Sequence, residues 1–144
     1  MNNKKLGNDW EKECLDILGK HGFFATKLQE KQTGAPFDLI ATKDNVFYAI
    51  ECKEIEKGNR FTFSRIESNQ RMAYKRLVNV NSPNYYFLFK CPDGEFVFDA
   101  KDIISSKEKS IDVTKGIKLD EWLKILYSYH KIVYSQINNP VQTL

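Results

Sequence analysis

The chain has 144 residues, of which 42% are hydrophobic, 28% charged and 13% aromatic. This composition is typical of a folded globular domain and excludes a disordered or low-complexity chain. At this length folding buries about two-thirds of the unfolded surface, so no metal or disulfide is needed to stabilise the fold. The formal net charge of +3 is too small to identify a nucleic-acid-binding protein by itself.

The sequence shows no signal for secretion or membrane insertion. Its apolar runs are short and its first residues, MNNKKLGNDWEKE, have no apolar core, so we expect a cytoplasmic protein with no membrane contact. Cys14, Cys52 and Cys91 are odd in number, far apart and form no C-x-x-C pair. Neither a disulfide framework nor a structural zinc site is indicated, and we predict three buried, reduced cysteines.

The predicted elements begin with a helix. Asn8 followed by Glu11 is a capping-box pattern, and apolar residues then recur at helical spacing until Gly22. Two short apolar stretches come next, at residues 23–28 and 36–42, and both are predicted to be strands. A proline opens the second of these stretches, a position that a strand tolerates.

A hairpin then leads into the longest predicted strand. Residues 43–45 supply the turn, and residues 46–53 (VFYAIECK) are apolar on both faces except at the C-terminal end. The remaining pattern predicts, in order, a helix over 66–80, strands at 84–90 and 95–99, and a long amphipathic helix from Leu119. The order αβββαββα indicates a mixed α/β fold.

Nothing in the sequence divides the chain into parts. It contains no internal repeat, no linker rich in proline or serine and no long block of like charges. We therefore predict one domain over residues 1–144, with a core at about 7–100 and a C-terminal helical extension at about 117–138.

Three charged residues stand out near the ends of the second and third predicted strands. Glu51 and Lys53 point to the same face of their strand, because side chains alternate along a strand. If the two strands pair as a hairpin, Asp38 lies across from the end of the other strand and the two carboxylates converge. Two carboxylates with open positions suit Mg²⁺. The alternative is a surface ion pair, which is the commoner reading of an isolated E-x-K tripeptide.

These residues carry a resemblance to a known superfamily. The tripeptide P-F-D at residues 36–38, followed by I-E-C-K at 50–53, resembles the signature of PD-(D/E)XK nucleases. The run G-N-D-W-E-K-E at residues 7–13, with H-G-F after the helix, is similar to the opening of archaeal Hjc-type Holliday junction resolvases. The resemblance implies a restriction-endonuclease-like core of order αβββαβ, with a mixed central sheet flanked by helices and an added C-terminal helix.

The resemblance also implies roles for individual residues. Asp38 and Glu51 would hold Mg²⁺, for which Mn²⁺ would substitute, and Glu11 would assist as a third residue of the metal site. For Glu11 the alternative is a capping-box glutamate bonded to the backbone of Asn8. Lys53 would stabilise charge on the phosphate or help to activate the attacking water. The predicted catalytic set is therefore Glu11, Asp38, Glu51 and Lys53.

A second cluster of motifs resembles RecU-type resolvases, in which E-x-K-E precedes aromatic residues and a helix that carries glutamine. Here E-C-K-E occupies residues 51–54, and the glutamine is Gln70. Gln70 and Tyr74 also resemble the Q-x-x-x-Y signature of RecB-like nucleases. At i and i+4 they share one helix face, which we expect to look toward the site. The alternative is an ordinary amphipathic helix with Tyr74 in the core.

Basic residues follow Lys53 in the sequence. Between residues 57 and 76 six are basic and one is acidic, a balance that can neutralise DNA phosphates but also fits a solvated helix face. Phe61 and Phe63 are read as core residues or as surfaces for base stacking. His21 and His130 have no metal-ligand spacing and are expected at helix ends or on the surface. The predicted DNA-binding residues are Arg60, Arg65, Gln70, Arg71, Tyr74 and Lys31, the last in a loop that folds over substrate.

Together these patterns predict a metal-dependent DNA endonuclease, most specifically a Holliday junction resolvase that makes paired nicks in a four-way junction. Two symmetric nicks require two sites, so we expect a homodimer. One alternative is another PD-(D/E)XK nuclease, of restriction-like, repair or recombination type, that acts on duplex ends or single strands. The other alternative is a non-catalytic nucleic-acid-binding module, against which the intact set of Asp38, Glu51 and Lys53 argues.

Overall fold

A computed structural model of the chain describes residues 3–29 and 34–138, with side chains from Asp9 onward. Six strands form a mixed sheet of order β1-β2-β3-β5-β6-β8, in which only the β3–β5 pair is parallel. The sheet strands are β1 (Phe24–Lys27), β2 (Leu39–Lys43), β3 (Val46–Glu54), β5 (Tyr85–Cys91), β6 (Gly94–Asp99) and β8 (Ile117–Lys118). A separate antiparallel pair consists of β4 (Arg60–Thr62) and β7 (Ser110–Asp112).

Helices cover both faces of the sheet. They are α1 (Asn3–Lys20), α2 (Ser68–Asn79), α3 (Ala100–Ile104) and α4 (Leu119–Asn138). Because side chains alternate along β3, Tyr48, Ile50 and Cys52 join the core beneath α1 and α4. Ala49, on the other face of β3, joins the core beneath α2 and α3. The helices of the described residues include none that is long and apolar enough to cross a membrane.

The mixed α/β fold and the predicted order of its major elements are confirmed. The turn between β2 and β3 lies at Asp44 and Asn45, whose φ angles of 50° and 64° are those of a tight hairpin. Helix α3 and the strands β4, β7 and β8 were not predicted, because they are too short to show a period in the sequence. The predicted C-terminal extension contributes β8 to the main sheet and α4 to one of the two cores.

The beginning of the first helix differs from the prediction. Helix α1 begins at Asn3, so Asn8 lies inside it and does not cap its N-terminus. The lysines and leucine that precede Gly7 favour helix, which explains why the helix extends past the predicted cap.

The three cysteines are buried free thiols, as predicted. Phe61 and Phe63 are both buried, so the core reading applies to each.

His130 is the clearest error of the sequence analysis, which expected it at a helix end or on the surface. Its side chain is only 2% exposed, and it lies under α4 against Phe23 and Tyr48. The Nε2 atom lies 2.8 Å from the Tyr48 hydroxyl, and Nδ1 lies 3.1 Å from Asp44 Oδ2. The histidine therefore connects α4 to the turn at the start of β3.

Candidate active site

The C-terminal end of β3 carries Glu51 and Lys53 on the face that α2 covers. Glu51 is 2% exposed, and Lys53 Nζ lies 3.4 Å from its Oε1 atom. Antiparallel pairing sets Leu39 of β2 opposite Ile50, so Asp38, one residue earlier, lies beside Glu51. The structure therefore brings the two carboxylates and the lysine together at one end of the sheet.

Asp38 is held in this position by backbone hydrogen bonds on both sides. Its N–H donates to the Ile50 carbonyl at 3.0 Å, and its carbonyl accepts from the N–H of Leu28 at 2.9 Å. Its side-chain Oδ2 accepts from the N–H of Cys52 at 2.8 Å. One carboxylate oxygen is thus fixed by β3 itself, and the side chain is oriented beside Glu51.

The two oxygens of Glu51 have different surroundings. Oε1 accepts a 2.8 Å hydrogen bond from Gln70 Nε2 and also faces the Lys53 ammonium. Oε2 is buried and has no hydrogen-bond partner among the described residues. A buried carboxylate oxygen without a donor is costly, so this atom is the natural position for a cation.

The electrostatics of the site also favour a cation. Burial raises the pKa of Glu51 well above its usual range, and the negative charge of Asp38 raises it further, whereas the Lys53 ammonium lowers it. Two adjacent carboxylates in a poorly solvated site repel each other in their charged forms. A divalent cation between them would remove that repulsion and favour both charged forms.

Glu11 reaches the same cleft from α1. Its carboxylate forms an ion pair with Lys27 at the end of β1, with Lys27 Nζ 2.8 Å from Glu11 Oε2. Because α1 begins at Asn3, a capping box between Glu11 and the backbone of Asn8 is ruled out. Glu11 therefore lines the cleft, with its carboxylate paired with Lys27.

The cleft has a volume of about 530 Å³. All four predicted catalytic residues line it, together with Arg65, Glu67 and Gln70 from the start of α2 and the segment before it. The guanidinium of Arg65, in a 3₁₀ turn (Phe63–Arg65), lies 5.2 Å from the centre of the buried Phe61 ring. This cation–π contact holds a positive charge at the rim, where a phosphate would approach.

The donor set suits a hard cation held by few protein ligands. Among residues 3–29 and 34–138 there is no group of three histidine, cysteine or acidic side chains placed to bind one ion. Asp38 and Glu51 would therefore supply the protein ligands, and the prediction of Glu11 as a third metal residue is not supported by this geometry. Water and a phosphate oxygen would complete the coordination, as is usual for Mg²⁺.

The predicted DNA-binding residues divide into two groups. Arg65 and Gln70 line the cleft. Arg60 is exposed and donates to Ser110 Oγ at 2.7 Å, and Arg71 points toward the Ile104 carbonyl. Lys31 lies outside the described residues. Contact with DNA stays a prediction for all of these residues.

The expectation that Gln70 and Tyr74 face the site together is wrong for Tyr74. Tyr74 does not line the cleft, and it packs instead against the core beneath α2 and α3. Burial raises its pKa, and the nearby Asp99 and Asp102 raise it further. Tyr74 therefore belongs to the core, while Gln70 reaches Glu51 of β3.

Some residues of the cleft were missed. Glu54, Glu56 and Glu67 also line it and make its rim more acidic than the basic segment suggested. The bond between Gln70 and Glu51 was missed as well. Its signal was present as E-x-x-Q at residues 67–70, a capping-box spacing that places the glutamine one turn into a helix.

A family comparison gives the decisive result. The model of the archaeal Holliday junction resolvase (Hjc) family matches residues 2–131. This chain belongs to that family. The predicted resemblance to PD-(D/E)XK resolvases of the archaeal type is thereby confirmed, and the match continues from the first helix well into α4.

Individual proteins show more limited similarity. A crossover junction endodeoxyribonuclease of Sulfolobus islandicus rod-shaped virus 1 is 44% identical over 59 residues, which are 40% of this chain. The match spans about half of that relative's length, at 49%.

Two solved structures support the fold. The Archaeoglobus fulgidus Hjc structure superposes with a TM-score of 0.61 at 21% identity, covering 81% of this chain and 99% of that one. A bacterial homing endonuclease superposes with a TM-score of 0.53 at 14% identity, covering 99% and 100%. Both agree with the predicted restriction-endonuclease-like core.

Proposed function

We propose that this chain is a Mg²⁺-dependent DNA endonuclease that resolves Holliday junctions. The observation that carries the proposal is the buried pair of Asp38 and Glu51 beside Lys53, with Glu51 Oε2 directed to no protein donor. Membership of the Hjc family and the name of the viral relative, a crossover junction endodeoxyribonuclease, support the choice of substrate. We place the activity in the cytoplasm.

The residues of the cleft would have different roles in phosphodiester hydrolysis. Asp38 and Glu51 would hold the metal, and Glu11 would assist from the cleft wall. The bound metal would polarise the phosphate and lower the pKa of a water molecule, and Mn²⁺ would supply the same chemistry.

Lys53 would stabilise the negative charge that develops on the phosphoryl group, or help to deprotonate the water. Water attacks phosphorus, the bond to the 3′ oxygen breaks, and the 3′ oxygen takes up a proton.

Junction resolution also depends on the number of copies of the chain in the active assembly. Two nicks in opposed strands, placed symmetrically, require two copies of a chain with one cleft. A C₂ homodimer provides this arrangement, because its two sites are related by the same twofold axis as the junction arms. We therefore propose that the homodimer is the active form.

A gel-based cleavage assay tests the proposal. The substrates are an end-labelled four-way junction, the matching linear duplex and the single strand, each with Mg²⁺, Mn²⁺ or EDTA. We expect paired symmetric nicks in the junction alone, dependent on metal and lost in Asp38→Asn. The control is Asp16→Asn, the same change at an exposed residue of α1 that is paired with Lys20.

The other outcomes have definite meanings. Cleavage of linear or single-stranded DNA instead would retain the nuclease chemistry and contradict junction resolution. Tight binding to the junction without cleavage in either metal would contradict the enzyme and favour a binding module. Equal cleavage by wild type and Asp38→Asn would contradict the role of Asp38.

A further inference from the structure

We infer that Gln70 is a positioning residue that fixes the carboxylate of Glu51 for metal binding. The inference rests on the proposed function, because it concerns the same metal site. It gives Gln70 a task other than the DNA contact that the sequence pattern predicts.

Gln70 is the third residue of α2, and its side chain is buried with 5% exposure. Both ends of its amide are engaged. Nε2 donates to Glu51 Oε1 at 2.8 Å, and the amide oxygen accepts from the N–H of Glu67 at 3.1 Å. The amide therefore bridges the cap of α2 and the catalytic strand.

The orientation of this amide is determined by its partners. A backbone N–H can only donate, so the side-chain oxygen of Gln70 has to face Glu67. That choice turns the NH₂ group toward Glu51, and the reversed amide would set two donors against each other. Helix α2 thus presents a hydrogen-bond donor, and not an acceptor, to the carboxylate.

The consequence concerns the last torsion of Glu51. The terminal torsion of a glutamate is broad, so a carboxylate without partners samples many orientations. Here Gln70 and Lys53 both engage Oε1, which leaves Oε2 as the oxygen without a protein partner. Gln70 therefore fixes the orientation of the carboxylate, with one oxygen engaged and the other left for the cation, and loss of its donor would let the carboxylate rotate more freely.

Mn²⁺ binding provides the test, with free Mn²⁺ measured by electron paramagnetic resonance. Loss of a partner that orients a metal ligand typically costs 10- to 100-fold in affinity. We therefore expect Gln70→Met to raise the Kd for Mn²⁺ about tenfold or more. Gln136→Met, the same change at an exposed position of α4, should leave the Kd unchanged.

Two further readouts separate positioning from other roles. Asp99→Ala removes a cap from α3 and should lower the melting temperature without changing the Kd for Mn²⁺. Junction affinity in EDTA should be the same for Gln70→Met and wild type. A fall in junction affinity with an unchanged Mn²⁺ Kd would overturn the inference in favour of a DNA contact.

The test also distinguishes the inference from the proposed function. If wild type binds no Mn²⁺, or binds it no better than Glu51→Gln does, the proposed metal site is wrong, and the positioning role of Gln70 is wrong as well. If wild type binds Mn²⁺ and Gln70→Met binds it equally well, only the inference is overturned. If Gln70→Met fails to fold, the Kd for Mn²⁺ is measured for Gln70→Asn. Its shorter amide cannot span both partners, so the Kd should rise in the same way.

Discussion

Strand β3 carries a buried polar cluster at each end, and the two clusters differ in how completely their groups are paired. Near its start, His130 meets Tyr48 through Nε2 and Asp44 through Nδ1, so both of its ring nitrogens have partners. At its end, Glu51 lies beside Asp38, and Oε2 of Glu51 has no donor among the described residues. The polar ring atoms of the first cluster are all paired within the described residues, whereas the second cluster keeps a buried oxygen that those residues leave without a donor.

The protonation states of the first cluster follow from burial. Burial lowers the pKa of His130 and raises the pKa of Tyr48. The neutral ring then donates a hydrogen bond from Nδ1 to Asp44 and accepts one at Nε2 from the Tyr48 hydroxyl. Each polar atom of the ring is satisfied by a neighbour, as is usual for polar groups that stabilise a fold.

The difference teaches how a structural cluster is told from a functional one. Both clusters have little contact with water, so burial alone does not separate them. What separates them is the combination of like charge, an unpaired oxygen and an open cleft at the end of β3. We expect changes at the start of β3 to alter stability and changes at its end to alter chemistry.

The largest expected effect is on cleavage in Glu51→Gln. The neutral amide keeps the shape of the side chain but removes the charge of the proposed metal ligand, so junction cleavage should fall by about 10³-fold or more. Because burial and the charge of Asp38 disfavour the charged carboxylate more than Lys53 favours it, the free energy of unfolding in EDTA should stay equal or rise by about 1 kcal/mol. Cleavage gels and urea denaturation measure the two quantities.

Glu108→Gln, at an exposed position, is the matched control for both measurements and should change neither. If Glu51→Gln retains most of its cleavage, or unfolds much more easily than wild type, the end of β3 does not serve chemistry rather than stability, and the proposed difference between the two ends of β3 is contradicted.

The next effect is on stability in His130→Ala. The change leaves a cavity beside Phe23 and removes the partners of Tyr48 and Asp44, so unfolding should become easier by about 3 kcal/mol. Cleavage per folded molecule should not change, because the histidine lies at the opposite end of β3 from the cleft.

The control is Tyr134→Ala, an aromatic truncation at an exposed position of α4, expected to cost less than about 0.5 kcal/mol. If His130→Ala retained wild-type stability and lost cleavage, the assignment of the two ends would be reversed.

The smallest expected effect is a pair of opposite pH dependences in the metal-free protein. The raised pKa of Glu51 contributes stability below the ordinary glutamate pKa, and that stability is lost as the pH rises through the folded value. The lowered pKa of His130 contributes stability above the ordinary histidine pKa, which is lost as the pH falls through the folded value.

Urea denaturation in EDTA between about pH 4 and pH 8 measures both contributions. Relative to wild type, Glu51→Gln should gain stability as the pH rises, by about 1 kcal/mol or more. The stability cost of His130→Ala should shrink as the pH falls. Parallel curves for all three proteins would show that neither group titrates differently in the folded state.

Sequence reasoning was most successful for β3 and the hairpin before it. The strand is apolar with charge only at its end, and a short polar turn precedes it. This pattern predicts both the direction of the strand and the faces of its side chains. The pairing of Asp38 with the end of β3 followed from the length of that hairpin. These features depend on residues close in sequence, so local rules are sufficient.

The features that sequence reasoning missed depend on contacts between distant segments. His130 is 82 residues from Tyr48, and no pattern within α4 indicates that the hairpin turn lies beneath it. Strand β8 has two residues and forms only because β6 offers an edge for pairing. Tyr74 and Gln70 share a helix face, yet only Gln70 lines the cleft, while Tyr74 packs against the core beneath α2 and α3.

The sequence by itself determined the family signature, the carboxylates and lysine of the site, and the order of the major elements. Short-range periodicity and turn chemistry specify these features within a few residues. Only the tertiary structure decided that Gln70 holds Glu51, that one oxygen of that carboxylate lacks a partner, and that His130 is buried. Each of those depends on how helices lie on a twisted sheet, which is set by the packing of the whole core.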